Sequence, residues 1–154
     1  MQRKFLIFLI GFGVFLAFVL FSFFVHKNLF LGFDFDTTVR LQNHISRKLD
    51  AVFSIFSLIG SAEIATIILL SILVIIRKLR GIFVLVGYGL ILFFELFGKI
   101  FVENLGPPYM FFRYDIPFNF PSSYVQPGYS YPSGHSARTL FISVIAAFLV
   151  ARSK

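Results

Sequence analysis

The feature that most constrains this chain is a series of apolar runs about as long as a bilayer is thick. Phe5 to Val25 is broken only by Gly11, Gly13 and Ser22. At a rise of about 1.5 Å per residue, about 20 residues of helix cross a hydrocarbon core of about 30 Å. Arg3 and Lys4 precede the run, as they would in a signal peptide, but its length and its Phe-Phe-Val-His end mark a retained anchor. Further runs of this kind predict spans at 54–76, 81–102 and 136–151. Between the first and second, Val39, Leu41, Ile45 and Leu49 fall on one helical face after a cap at Asp36, which predicts an interfacial helix within 27–50. The expected fold is therefore an all-α integral membrane bundle with four transmembrane helices in one domain, residues 1–154.

Composition removes the main alternatives. The chain is 58% hydrophobic and only 14% charged, whereas soluble chains carry about 25% charged residues. A chain this apolar is neither disordered nor an ordinary soluble domain. It has no Cys, so no thiolate metal site is available. The net charge of +7 could signal nucleic acid, but the basic residues stand in small groups at the ends of apolar runs and form no face that would track a phosphate backbone. No nucleic-acid partner is expected. Arg3 and Lys4, then Arg77, Lys78 and Arg80, then Arg152 and Lys154 fall on one side of a four-span topology. That side, with the N-terminus, is expected to be cytoplasmic. The segment Asn104 to Ser133, which holds all six prolines, then faces the extracytoplasmic space.

Chemistry concentrates where this proline-rich loop turns into the last apolar run, at Tyr131-Pro132-Ser133-Gly134-His135. Pro132 ends the irregular segment and Gly134 lets a ligand approach the backbone. The first helical turn offers amides without intrahelical partners, which suits an anion such as phosphate. His135 can give a proton to a leaving oxygen, and Arg138 shares its helix face. Lys99, at the same end of the third span, is an intramembrane cation with Glu95 and Glu103 as possible partners. Each group also has a structural reading: Ser-Gly as a cap, His135 as an interfacial side chain, Arg138 and Lys99 as snorkelling or salt-bridged anchors. Glu63 could serve a basic site residue or a neighbouring helix. Tyr109, Phe111, Phe112, Tyr114, Phe118 and Phe120 could form an apolar mouth or an interfacial aromatic belt, and Asp115 could orient Arg113.

Lys99 followed by Pro107, and then Pro132-Ser133-Gly134-His135, resembles the type 2 phosphatidic acid phosphatase and vanadium haloperoxidase superfamily, over about residues 57–151. Its motifs are KxxxxxxRP, PSGH and SRxxxxxHxxxD. The resemblance implies a bundle of six spans and hydrolysis of a lipid phosphate or polyprenyl diphosphate through a phosphohistidine, without metal or other cofactor. It assigns Lys99, Ser133 and Gly134 to phosphate binding and His135 to the leaving group. The hydropathy matches the membrane branch, so haloperoxidase chemistry is disfavoured. Two departures stand out. Gly106 occupies the place of the first-motif Arg, and Arg138, or else Arg113, is the expected replacement because a guanidinium binds phosphate in bidentate fashion. Glu95 is assigned to a supporting role beside Lys99. The third motif, with its nucleophilic His, is absent: after Ser46-Arg47 the required position holds Phe53. The expectation is a C-terminally truncated and inactive phosphatase, the alternative a non-catalytic membrane protein that binds lipid phosphates or a partner helix.

Overall fold

A computed structural model describes residues 2–76, 81–111, 113 and 129–153. Among them every regular element is helical: α1 (Gln2–His26), α2 (Leu31–His44), α3 (Asp50–Leu58), α4 (Ala62–Ile76), α5 (Gly81–Val102) and α6 (Gly134–Ser153), with short 3-10 turns at Arg47–Leu49 and Tyr109–Phe111. Helices α1, α5 and α6 are each long and apolar enough to cross a bilayer. The chain is thus an all-α integral membrane protein, and its outer surface agrees. Phe8, Phe83, Leu140 and Val150 each leave more than half their area uncovered, a surface that lipid solvates and water does not. Hydroxyls within the runs bond back one turn, Ser22 to Phe18 O and Ser143 to Thr139 O at 2.8 Å each, Thr66 to Ala62 O at 2.6 Å. These bonds satisfy the three hydroxyl donors within the hydrocarbon-facing helices.

Local signals fix the helix ends. After α1, the Asn28 amide donates to Val25 O and the Leu29 amide to Phe24 O, with Asn28 at a left-handed φ of 57°. This is a Schellman closure with Asn in the usual place of Gly. It feeds the chain directly into α2 at Leu31, so Asp36 lies inside the helix and is not its cap. Asp34 is the acidic residue in the first turn. Glu103, at φ 53°, ends α5 in the same left-handed way.

The second span departs from expectation. The continuous apolar run is two helices, α3 and α4, meeting at 53° across Ile59 to Ser61. The break has a packing cause. A side chain at Gly60 would lie 2.8 Å from Thr139 Oγ1 and 2.9 Å from His135 O, so α6 packs directly onto the Gly60 backbone. The Gly60 carbonyl, released from helical bonding, accepts from Arg138 Nε at 2.7 Å.

Helix α6 packs against both α4 and α5, and α5 also lies against α1. The core between α4, α5 and α6 consists of Ala65, Leu69, Tyr88 and Ile142, with Leu73, Val84, Leu92 and Phe141 around it. Tyr88 OH is 2.9 Å from Thr66 Oγ1 and donates to Ala62 O at 3.3 Å, which satisfies the one polar tip in that core. Beyond α5, the Ser130 amide donates to Asn104 O, Asn104 Nδ2 donates to Ser130 Oγ, both at 2.9 Å, and Leu105 bridges to Tyr129. The two ends of the proline-rich segment are clasped together there.

Candidate phosphate site at the start of helix α6

Helix α6 begins in a notch cut by glycines. The Pro132 ring rests on Gly98 of α5, where a Cβ would collide with Pro132 Cδ, so Gly98 is what lets the turn before α6 touch α5. Tyr131 locks the other side of the turn to α1: its hydroxyl lies 2.9 Å from Ser22 Oγ and its ring stacks on Phe18 at 6.3 Å. Ser133 is the N-cap, its Oγ accepting the Ser136 amide at 3.3 Å. The amides of Gly134 and His135 have no intrahelical acceptor, by the geometry of any helix start.

Against that start stands a carboxylate. A Cβ on Gly134 would coincide with the carboxylate of Glu95, and all three of the atoms nearest to it belong to Glu95. Arg138 Nη1 donates to Glu95 Oε2, while Lys99 Nζ stands 3.4 Å from Oε1. The group is deeply enclosed: side-chain exposure is 2% for Arg138, 4% for Glu95 and 12% for Lys99. Oε1 is buried and, among the described residues, receives no aligned hydrogen bond. Lys99 pairs with it by charge and proximity alone. His135, exposed on the next position of the turn, feels the charges of Arg138, Glu95, Lys99 and Glu63. Two cations and a helix N-terminus therefore converge on one point, and that point is filled by an anion.

A 210 Å³ cavity reaches this cluster from the side of α1. Its lining is almost wholly apolar, from Phe15, Phe18, Ile91, Phe94, Pro132 and Ala137, with Ser133 and Glu95 also at its wall.

The structure brings Lys99, Arg138 and Gly134 together around Glu95, with Ser133 and His135 in the same turn of chain, whereas Arg113 lies elsewhere. Arg113 donates from Nε to Asp50 Oδ2 at 3.1 Å, from Nη1 to Gln42 O at 3.2 Å and from Nη2 to Ile45 O at 3.0 Å. All three nitrogens are engaged at the α2–α3 corner, so this residue is a clamp there and not a second phosphate ligand. Gly106 lines a separate 450 Å³ cleft with Asp34, Thr38 and Phe111. The proposed aromatic mouth is only partly described. Phe111 packs on Phe35 of α2 at 5.4 Å, away from the site, and Phe112, Tyr114, Asp115, Phe118 and Phe120 lie outside the described residues. So do Arg77, Lys78, Arg80 and Lys154 of the basic flanks.

Sequence reasoning missed Gly60 and Gly98, which cut the notch, and placed Glu95 beside the site instead of at its centre. The signal for Glu95 was present, because it shares a helix face with Lys99, but its reach to Gly134 depends on how α5 and α6 pack. Among the described residues no cluster of three or more His, Cys, Asp or Glu side chains is arranged to hold a metal ion. Comparison with protein-family models, curated proteins and solved structures finds no match to this chain.

Proposed function

We propose that this chain carries the phosphate-binding and leaving-group machinery of a lipid phosphate phosphatase of the type 2 phosphatidic acid phosphatase kind. The observation that carries the reading is the convergence of Lys99, Arg138 and the α6 N-terminus on a single carboxylate, an internal stand-in for phosphate. A site that holds one buried anion by two cations at a helix start has the electrostatics to hold another. Lys99, Arg138 and the first-turn amides would neutralise charge developing on the phosphoryl oxygens. The cavity bounded by Phe15, Phe18 and Phe94 offers room for part of an acyl or prenyl chain. The basic flanks support a cytoplasmic N-terminus, with the site opening on the extracytoplasmic side when α3 and α4 together count as one bent span.

In this scheme a histidine nitrogen attacks phosphorus as the bond from phosphorus to the leaving oxygen breaks, and His135 gives its proton to that oxygen. Water then cleaves the phosphohistidine and releases inorganic phosphate. The third family motif does not occur among the 154 residues, so the proposal assigns attack to a histidine contributed from elsewhere. That same absence favours a second reading, a membrane protein that binds lipid phosphates without hydrolysing them.

The test uses the full chain in nanodiscs, with phosphatidate measured against phosphatidylcholine. Selective binding of phosphatidate that weakens at least about tenfold on Lys99→Met supports the shared site. Phosphate release in native membranes that is lost on His135→Ala establishes the hydrolase, and binding without release selects the second reading. Absence of any preference for phosphatidate overturns both.

A further inference from the structure

The Glu95 carboxylate raises a question that phosphate binding alone does not answer. Gly134 has no side chain, yet the space this leaves at the start of α6 is filled by the end of Glu95. One of its oxygens accepts from Arg138; the other stands near Lys99 without an aligned donor. A buried, half-satisfied carboxylate is a costly occupant. A phosphate monoester has more oxygens to offer the same donors and carries at least equal charge. Both cannot sit on Gly134 at once.

Resting on the reading of this site as a phosphate site, we propose that Glu95 is a built-in competitor: its carboxylate closes the anion seat in the resting protein, and a phosphoryl group binds by displacing it. Glu95 gives Lys99 and Arg138 a carboxylate partner while the seat lacks a ligand. The bundle thus avoids burying the Arg138 guanidinium without a carboxylate beside it. The ligand class is a phosphate monoester dianion, either on a lipid or free.

The test compares wild type, Glu95→Gln and Glu63→Gln, each as the full chain in detergent titrated with inorganic phosphate and in nanodiscs titrated with phosphatidate. Gln keeps the shape of Glu and can still accept from Arg138, but it removes the charge that repels phosphate. Glu95→Gln is expected to tighten phosphate binding at least about tenfold, since a like charge about 4 Å away is a strong opponent in a partly buried site. Glu63 also acts electrostatically on His135 but is not the carboxylate lodged against Gly134, and Glu63→Gln should change affinity by less than about threefold. Equal tightening in both variants overturns the proposal in favour of general electrostatics. Unchanged affinity in Glu95→Gln, with Lys99→Met still abolishing binding, overturns it while leaving the phosphate site standing. No binding in any protein, wild type included, means the site reading itself has failed. If tightening appears only with phosphatidate, the ligand is the lipid headgroup; tightening with both identifies a general phosphate seat. A second variant covers loss of folding. In Glu95→Ala, added phosphate should restore the unfolding temperature by replacing the missing carboxylate, and a purely structural Glu95 would show no such rescue.

Discussion

Among the described residues two arginine–carboxylate pairs stand, and they are built differently. At the α2–α3 corner, Arg113 meets Asp50 and two backbone carbonyls, so every nitrogen of the guanidinium has a protein acceptor and each partner remains about 15% exposed. Inside the bundle, Arg138 shares its carboxylate with Lys99, two cations to one anion, at the start of a helix whose dipole adds further positive potential. The first arrangement is electrically closed and joins a loop to a corner. The second draws two cations and a helix start onto one carboxylate, and on the proposed reading that difference separates an anion seat from a clamp.

Removing each arginine should separate the two roles. Arg138→Met leaves Glu95 buried against Gly134 without its guanidinium, and the expected loss is about 3–5 kcal/mol of stability. Chemical or thermal unfolding in detergent measures it. Replacing both partners, as in Arg138→Met with Glu95→Leu, should recover most of that stability without recovering phosphate binding, because paired charges can often be exchanged for apolar groups of similar volume. A double variant as unstable as the single one would show that the cost lies in the lost Gly60 contact instead. Next in size, Gly134→Ala drives a methyl into the Glu95 carboxylate and should cost about 1–3 kcal/mol. The same substitution in a Glu95→Ala background should cost almost nothing, and a mutant cycle with no coupling would refute the contact. Smallest is Arg113→Met, which should lose about 1–2 kcal/mol and leave phosphate affinity unchanged. A loss of phosphate binding in Arg113→Met would return that residue to the site and erase the distinction.

The sequence made the fold legible where a single physical signal dominates. Helices α1, α5 and α6 match the apolar runs almost to the residue, because prolines, charge and the left-handed turns at Asn28 and Glu103 mark their limits. The break between α3 and α4 was hidden. The run from Ala51 to Ile76 carries no charge except Glu63, and hydropathy has no term for a helix that must part so another can touch its backbone. Gly60-Ser61 was the only trace. The same limit explains the misplaced arginine. His135 and Arg138 lie on one helix, so their proximity follows from its periodicity, whereas the position of Arg113 depends on a loop path that no periodicity encodes. Lys99 and Glu95 were readable as a pair for the first reason. Their meeting with Gly134 was not, because it depends on the two glycine contacts that bring α6 onto α5 and α4.

The clasp between Asn104–Leu105 and Tyr129–Ser130 separates the length of the proline-rich segment from the spacing of the site. A few bonds at the neck of the loop, together with Pro132 resting on Gly98, hold the start of α6 against the end of α5. Length added beyond the neck costs only a slowly growing loop-closure entropy. On the proposed reading the neck, more than the length of the segment, keeps the ends of α5 and α6 in register at the site.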